Sequence, residues 1–317
     1  MVTMNEIKKI NRIYHYCSLE TFVSIMENSS VRMCDILKSN DSAEIEYGRK
    51  LLRKYLKSLC LSFCNEHISD SGIKAFFLNI DYNTVITEMI DNNQLIYYTA
   101  CFSSERDLLS QWRGYANDGK GVAIGFFTQD FINESNYKNV RFGKIIYDEE
   151  TQKNCLNEYI QKRLMGVEEA KGKECLCLYE NAIKQAIHSF LYEIAFFKSE
   201  AFKEESEWRL VCYLNYDNLD SATVNKEGFH PICYEGIANF GSDCDDLITR
   251  KIKFKCTDKK LVSYIDFNFQ NVKKSIVSDI MIGPKAQVSN TDISLFLSVN
   301  GYDLSKIKVR KSTATYQ

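Results

Sequence analysis

A chain of 317 residues with 45% apolar side chains is long enough to bury a sizeable core, as one large domain or two ordinary ones. Its 40 basic and 42 acidic residues leave a formal charge of −2, so no global field draws it to nucleic acid or to an anionic membrane. No apolar run reaches bilayer length, residues 1–16 lack the apolar centre of a signal peptide, and the 12 scattered cysteines fit reduced thiols.

These features describe a cytoplasmic protein with no membrane partner. Cys60 with Cys64 and Cys175 with Cys177 do not make the paired spacings that zinc requires, so no metal is expected. Only Pro231 and Pro284 interrupt the chain, and no Gly- or Ser-rich linker divides it. One continuous domain over residues 1–317 is the expectation.

In chain order, alternation around Ile13–Tyr16 predicts a first strand ending near Cys17. Ser18 then caps a short helix built on Leu19, Phe22, Val23 and Met26. His15 therefore stands at a strand end beside a helix start. Residues 31–34 read as a short strand. Asn40, Asp41 and Ser42 form a turn and cap, with Glu44 and Glu46 opening a longer helix through Ile45, Leu52 and Leu59. A further helix is expected over residues 84–90.

Residues 95–102 are dense in β-branched and aromatic side chains and predict a buried strand ending at Ser103 and Ser104. Leu108, Leu109 and Trp112 suggest a short helix, followed by a turn at 117–119 and a strand over 121–127. Gly121 and Gly125 mark that strand as a place of close approach for a backbone or a ligand. Arg113 and Tyr115 lie in the connection, where function concentrates on a rigid scaffold. The G-x-G here precedes a strand, so it is not a dinucleotide-binding fingerprint. After a strand over 142–147, residues 149–198 read as a helical insertion. Strands follow over 252–254, 265–269, 279–282 and 307–309, with a helix capped at Ser289 or Asn290 before the last. The turn lysine Lys285 is expected in solvent.

The stretch FKSEAFKEESEWRLVCY, from Phe197 to Tyr213, joins a charged segment to a β-prone one. If the chain is already extended there, Glu205 and Glu207 point to one face at the mouth of a strand. Two carboxylates on one edge can bind a hydroxyl, stabilise a developing cation or place a nucleophile. Lys203, Glu204 and Arg209 are their neighbours in the charge run.

The succession YHYCSLETFVSIMENSSVRMCD, NDSAE, CFSSERDLLSQWRGYANDGKGVAIGF, FKSEAFKEESEWRLV, IMIGPKA and IKVRKST resembles a bacterial family known as domain of unknown function 2971, over nearly the whole chain. SQWRGYANDGKGVAIGF and EWRLV are the most specific parts. A second likeness is to the ADP-ribosyltransferases, including DNA-targeting toxins. That likeness implies a His or Arg on a first core strand, a Ser on a middle strand and a Glu, often as E-x-E, heading a later strand. Residue by residue, it implies His15 on the nicotinamide-side ribose and Ser103 fixing ribose and nicotinamide. Glu207 would meet the ribose 2′-hydroxyl and the oxocarbenium-like centre, and Glu205 would orient or deprotonate the attacking group. Tyr16 and Tyr115 are the candidates for stacking on nicotinamide.

The expected fold is α+β: a mixed, mainly antiparallel central sheet with peripheral helices and the insertion at 149–198, ADP-ribosyltransferase-like. The expected function is an NAD-dependent ADP-ribosyltransferase or NAD glycohydrolase, as a toxin or anti-phage effector. NAD would be its substrate, a protein or nucleic acid its acceptor, and an antitoxin or regulatory protein its partner. One rival is a non-enzymatic sensor or partner-binding protein using Trp112, Arg113, Tyr115, Glu207 and Arg209 as a polar pocket. Another is a metal-dependent nuclease using Asp41, Glu44, Glu205 and Glu207.

Overall fold

The computed structural model describes residues 11–38, 42–92, 95–137, 140–169, 175–215, 252–256 and 260–315. Asn40, Asp41, His230 and Pro231, and with them the turn expected before Ser42, lie outside the described residues.

Strand β1 (Arg12–Cys17) leads through Ser18 into helix α1 (Leu19–Asn28), and the Ser18 side chain accepts from the Thr21 amide as an N-cap. Strand β2 (Ser30–Asp35) is followed by the long helix α2 (Ser42–His67), then α3 (Ser71–Asn79) and α4 (Tyr82–Asn92). Strand β3 (Leu95–Ser103), helix α5 (Leu109–Tyr115) and strand β4 (Val122–Phe127) come next. Helix α6 (Thr128–Tyr137) and strand β5 (Arg141–Lys144) precede the helices α7 (Glu149–Glu169) and α8 (Cys175–Leu191). The latter two occupy most of the stretch expected to be a helical insertion.

Beyond them lie the 3₁₀ turns Ile194–Phe196 and Glu200–Glu205 and strand β6 (Glu207–Asn215). Strands β7 (Lys253–Cys256), β8 (Leu261–Asn268) and β9 (Val277–Ile282) follow, with the short helix α9 (Lys273–Ile276) before β9. Helix α10 (Asn290–Val299), closed by a full capping box from Ser289 and Asp292, and strand β10 (Lys308–Lys311) complete the described chain.

The strands form one mixed, mainly antiparallel sheet in the order β10-β9-β4-β1-β3-β2-β8-β7, in which, among the described strands, only β9 and β10 run parallel. β3 has three strand neighbours. β6 pairs with it along its whole length, from Leu95↔Asn215 to Ser103↔Glu207. That leaves one edge for both β1, which touches at Ser103, and β2, which touches at Thr99 and Tyr98. The sheet therefore forks along β3. At the fork the Cys101 carbonyl accepts a hydrogen bond from His15 Nδ1 at 2.9 Å.

Period-two alternation gives the sheet two distinct faces. On one, Ile13, Phe102, Ile124, Phe126, Trp208 and Leu210 pack under Phe22 and Met26 of α1, Phe131 of α6, and Ile293 and Leu297 of α10. On the other, Tyr97 and Val211 pack with Leu52 and Leu56 of α2, Ile160 of α7, and Ile183 and Phe190 of α8. A smaller apolar group on this second face joins Tyr14, Tyr16, Ala123 and Met281 to Trp112 and Ala116. Between the large and the small group the sheet carries polar side chains.

Candidate functional site

The pairing registers align those polar residues. Asp279 of β9 opposes Gly125 of β4, Gly125 opposes Tyr14 of β1, Tyr14 opposes Ser103 of β3, and Ser103 opposes Glu207 of β6. Directly opposed residues share a face, so Asp279, Tyr14, Ser103 and Glu207 form one polar row across the sheet. All four are buried. Gly125 is the residue the row requires at its middle: a Cβ there would stand 2.5 Å from the Asp279 carboxylate and 2.8 Å from the Ser278 hydroxyl.

His15 does not join the row. It opposes Ile124 on β1 and β4, and its ring lies 5.4 Å from that of Phe102, so it belongs to the opposite face. The carbonyl it meets can only accept, so Nδ1 carries the proton. Burial lowers its pKa, against the opposing effect of that hydrogen bond, and the ring is a neutral wedge in the fork. The sequence places His15 beside a helix start correctly, but the pairing register assigns its face, and register is set by contacts distant in the chain.

The carboxylate pair also differs from expectation. Glu205 ends a 3₁₀ turn rather than lying in the strand, and Ser206 follows in the left-handed region with φ 47°. Lys198, not strand geometry, brings the two acids together: its ammonium lies 2.6 Å from Glu205 Oε2 and 3.0 Å from Glu207 Oε2. Glu44, from the first turn of α2, adds a third carboxylate at 2.8 Å from the same nitrogen.

Arg209 closes the cluster. Its Nε donates to Glu207 Oε1 at 2.5 Å and its Nη2 to Glu207 Oε2 at 3.0 Å, while the same Nη2 also donates to Glu44. Its Nη1 donates to the Ala195 carbonyl at 2.9 Å. This fork-on-carboxylate geometry is the strong form of a charged hydrogen bond. Three carboxylates around two cations leave one net negative charge in a largely buried space. The side chains of Lys198 and Arg209 are 2% and 0% exposed, whereas Glu44 and Glu205 reach 10% and 17%, so these two acids are the more accessible members of the cluster.

Burial opposes the ionisation of Glu207, but Arg209 and Lys198 outweigh it and hold the carboxyl below the usual glutamate range. For Glu44 burial prevails over Arg209 and Lys198, with Glu207 adding to it, and the pKa is raised. Burial works against the charge of Lys198 too, yet Glu207, Glu44 and Glu205 keep it firmly protonated. Beside the cluster, Phe202 is 48% exposed and its ring centroid lies 4.9 Å from the Lys198 ammonium.

The remaining candidates have defined places. Ser103 donates from Oγ to the Glu205 carbonyl at 2.7 Å and accepts from the Glu105 amide at 3.1 Å, which ties β3 to the turn bearing Glu205. Tyr16 is on the same face, but its hydroxyl donates to the Glu105 carbonyl at 2.7 Å and accepts from the Leu108 amide at 3.0 Å. Its ring meets Trp112 edge-on at 4.8 Å, and Trp112 is fully buried with Nε1 on Asp107 at 2.7 Å. Both therefore serve as packing for the row. Arg113 and Tyr115 are exposed on α5.

Tyr14, Asp279, Lys198 and Arg12, whose Nε lies 3.7 Å from Asp279 Oδ1, are site residues that were not candidates in the sequence; Glu44, a candidate only for metal-dependent cleavage, does join Glu205 and Glu207. The Arg12 and Tyr14 spacing, two apart on an alternating strand, was a visible signal. Lys198 had none, since only the tertiary fold brings it to Glu207. Lys285, expected in solvent, reaches Asp118 Oδ2 at 3.1 Å. Among the described residues, no group of three or more His, Cys, Asp or Glu is arranged to hold a metal ion. In the acid cluster, Lys198 and Arg209 stand between the carboxylates.

Among the described residues no helix is long and apolar enough to cross a membrane. No curated protein and no solved structure matches this chain. The family evidence covers the segment that runs from α5 through the cluster to β6: residues 111–210 match the model of the family described as Protein of unknown function (DUF2971).

Proposed function

We propose that this chain cleaves the nicotinamide–ribose bond of NAD, as an ADP-ribosyltransferase or NAD glycohydrolase, and that the polar row with its acid cluster is the site. The observation that carries this reading is the alignment of a first-strand residue, Ser103 and Glu207 on three adjacent strands and one face. It follows the strand order that the transferase likeness implies, with Tyr14 and Arg12 taking the first-strand position in place of His15.

The electrostatics fit the chemistry. As the C1′–N bond breaks, nicotinamide leaves with the bonding pair and positive charge develops on the ribose. A site with an excess carboxylate stabilises that charge better than it stabilises the ground state. Glu205, the more open acid, meets the ribose and takes the proton of the attacking hydroxyl or water as the new C1′ bond forms. Glu207, with both oxygens held by Arg209 and Lys198, is the positioning residue that fixes Lys198 and through it Glu205. Phe202, exposed beside Lys198, offers an aromatic face. The acceptor is a protein, a nucleic acid or water, and a toxin or anti-phage role with a regulatory partner is the biological setting that fits such chemistry.

The test is to incubate the purified chain with NAD, with and without cell lysate or nucleic acid, and to measure nicotinamide release and label transfer. Release that falls roughly 10²–10³-fold in Glu205→Gln supports the reading. Absence of both signals under every condition removes it. One observation favours a second reading. The charges of Glu207, Lys198 and Arg209 are already satisfied within the protein, as in a scaffold that senses a ligand without turnover. Saturable NAD binding with no product would select that alternative.

A further inference from the structure

The loop between β3 and α5, residues 104–108, is held from both ends. At one end Ser104 donates its amide to the Ser206 carbonyl at 3.0 Å, and the Ser103 hydroxyl bridges the Glu105 amide to the Glu205 carbonyl. At the other end the Asp107 carboxylate collects four hydrogen bonds. Trp112 Nε1 donates to Oδ1 at 2.7 Å and the Ser312 hydroxyl to the same oxygen at 2.5 Å; the Thr313 amide and hydroxyl donate to Oδ2 at 2.9 Å and 3.1 Å.

Three of those four donors come from the segment that follows β10. That segment is anchored further where the Ser312 amide meets the Ile282 carbonyl at 2.8 Å, and Ala314 packs on the Tyr14–Tyr16–Trp112 group. The middle of the loop is pinned by the Tyr16 hydroxyl, between Glu105 and Leu108. An unbroken set of short polar contacts thus runs from Thr313, through Asp107 and the loop, to the turn that carries Glu205.

We infer that the C-terminal segment is a strap that sets the position of Glu205, with Asp107 as the positioning residue through which it acts. The physical reason is that Glu205 lies on a 3₁₀ turn outside the strand ladder, so the Ser103 hydroxyl on the Glu205 carbonyl and the backbone bond between Ser104 and Ser206 hold that turn in place. Those contacts belong to a loop whose far end is held by one carboxylate. Charged acceptors make the stronger hydrogen bonds, so loss of the donors loosens the loop more than loss of neutral contacts would. The link to catalysis rests on the NAD reading above; the strap itself does not.

The test separates the two. Amide hydrogen exchange is measured on the full-length protein and on a Ser312→Ala, Thr313→Val double variant, with Asp107→Asn as a second variant. Ser312 is only partly buried and Thr313 is exposed, so the double variant removes donors while leaving the cores intact. The expected result is exchange at Ser104 and Ser206 faster by roughly tenfold or more, with the Leu210 and Val211 amides unchanged. If the NAD reaction is present, the same variants lose kcat through a less well-placed Glu205 while the pH profile of the reaction keeps its shape. Faster exchange confined to residues 312–315 overturns the strap, and so does a uniform increase over the whole molecule. Absence of NAD turnover with the local exchange result intact would remove the NAD reading and leave the strap standing.

Discussion

At the scale of single residues, the acid cluster shows how opposite shifts arise among carboxylates on the same two cations. Glu207 takes both nitrogens of the Arg209 fork and also Lys198, and its pKa is lowered; Glu44 takes one contact from each and its pKa is raised. By linkage, a lowered folded pKa is stability present above the unfolded value and lost as pH falls through the folded one. A raised folded pKa acts in the other sense, and its stability is lost as pH rises through the folded value. Glu207→Gln is therefore expected to cost more at pH 7 than Glu44→Gln. Removing the better partner from a buried pair typically costs about 3–5 kcal/mol, because the cations are left uncompensated. Urea unfolding of the two variants at pH 7 makes the comparison, and equal losses would contradict it.

His15 gives a second residue-scale prediction. Its folded pKa is lowered, so its contribution is complete above the unfolded value of about 6.5 and declines as pH falls from there through the folded pKa. An asparagine amide can make the same donation to the Cys101 carbonyl without titrating. His15→Asn should therefore flatten the decline of unfolding free energy between about pH 6.5 and pH 5, where the wild type is losing stability. A slope unchanged by the substitution would show that the ring is not held neutral.

At the scale of elements, two glycines separate close approach from mere helix content. Gly121 abuts the turn into β1's neighbour: a Cβ there would stand 2.0 Å from the Cys17 carbonyl oxygen, a backbone atom that cannot move aside cheaply. Gly166, inside α7, has nothing within 4 Å of the added carbon. Gly166→Ala should raise stability by about 0.5–1 kcal/mol through helix propensity, and Gly121→Ala should lower it by about 1–3 kcal/mol or more. Chemical denaturation midpoints report both signs directly.

The same scale shows what was legible in the chain. Strand β3 announced itself through its β-branched and aromatic density, α1 through its Ser18 cap and apolar spacing, and α10 through the Ser289 cap. The strand expected over 142–147 is shorter: β5 ends at Lys144, and Ile146 makes a single parallel bridge to Phe197. Local signals of this kind survive because propensity, capping and periodicity agree within a few residues. Register does not have that property. Whether Tyr14 or His15 shares a face with Glu207 depends on one pairing, Tyr14↔Ser103, between strands far apart in sequence. The condition of extended backbone at Glu205 is not met, for a different reason: the chain turns there through Ser206 and is held by Lys198 and Ser103.

At the scale of the whole molecule, the forked sheet gives the chain two unlike faces. One carries His15, half-buried against Phe102, beside an apolar core beneath α1, α6 and α10. The other carries the row from Asp279 to Glu207, flanked by two apolar groups and ending in the net-negative cluster. Among the described residues, four of the six buried charged side chains, Glu44, Lys198, Glu207 and Arg209, gather in that cluster. The cost of doing so is substantial, since each buried ion loses hydration that its partners must replace. A purely structural role is met more cheaply by apolar packing, and this is the physical ground for reading the second face as the working one.

The most direct measurement is nicotinamide release from NAD by the wild type, Glu205→Gln and His15→Asn, each first shown to be folded. Release by the wild type is expected, with a fall of roughly 10²–10³-fold in Glu205→Gln and a rate within a few-fold of wild type in His15→Asn. No release by the wild type, or loss of activity in His15→Asn with Glu205→Gln unaffected, would contradict this expectation.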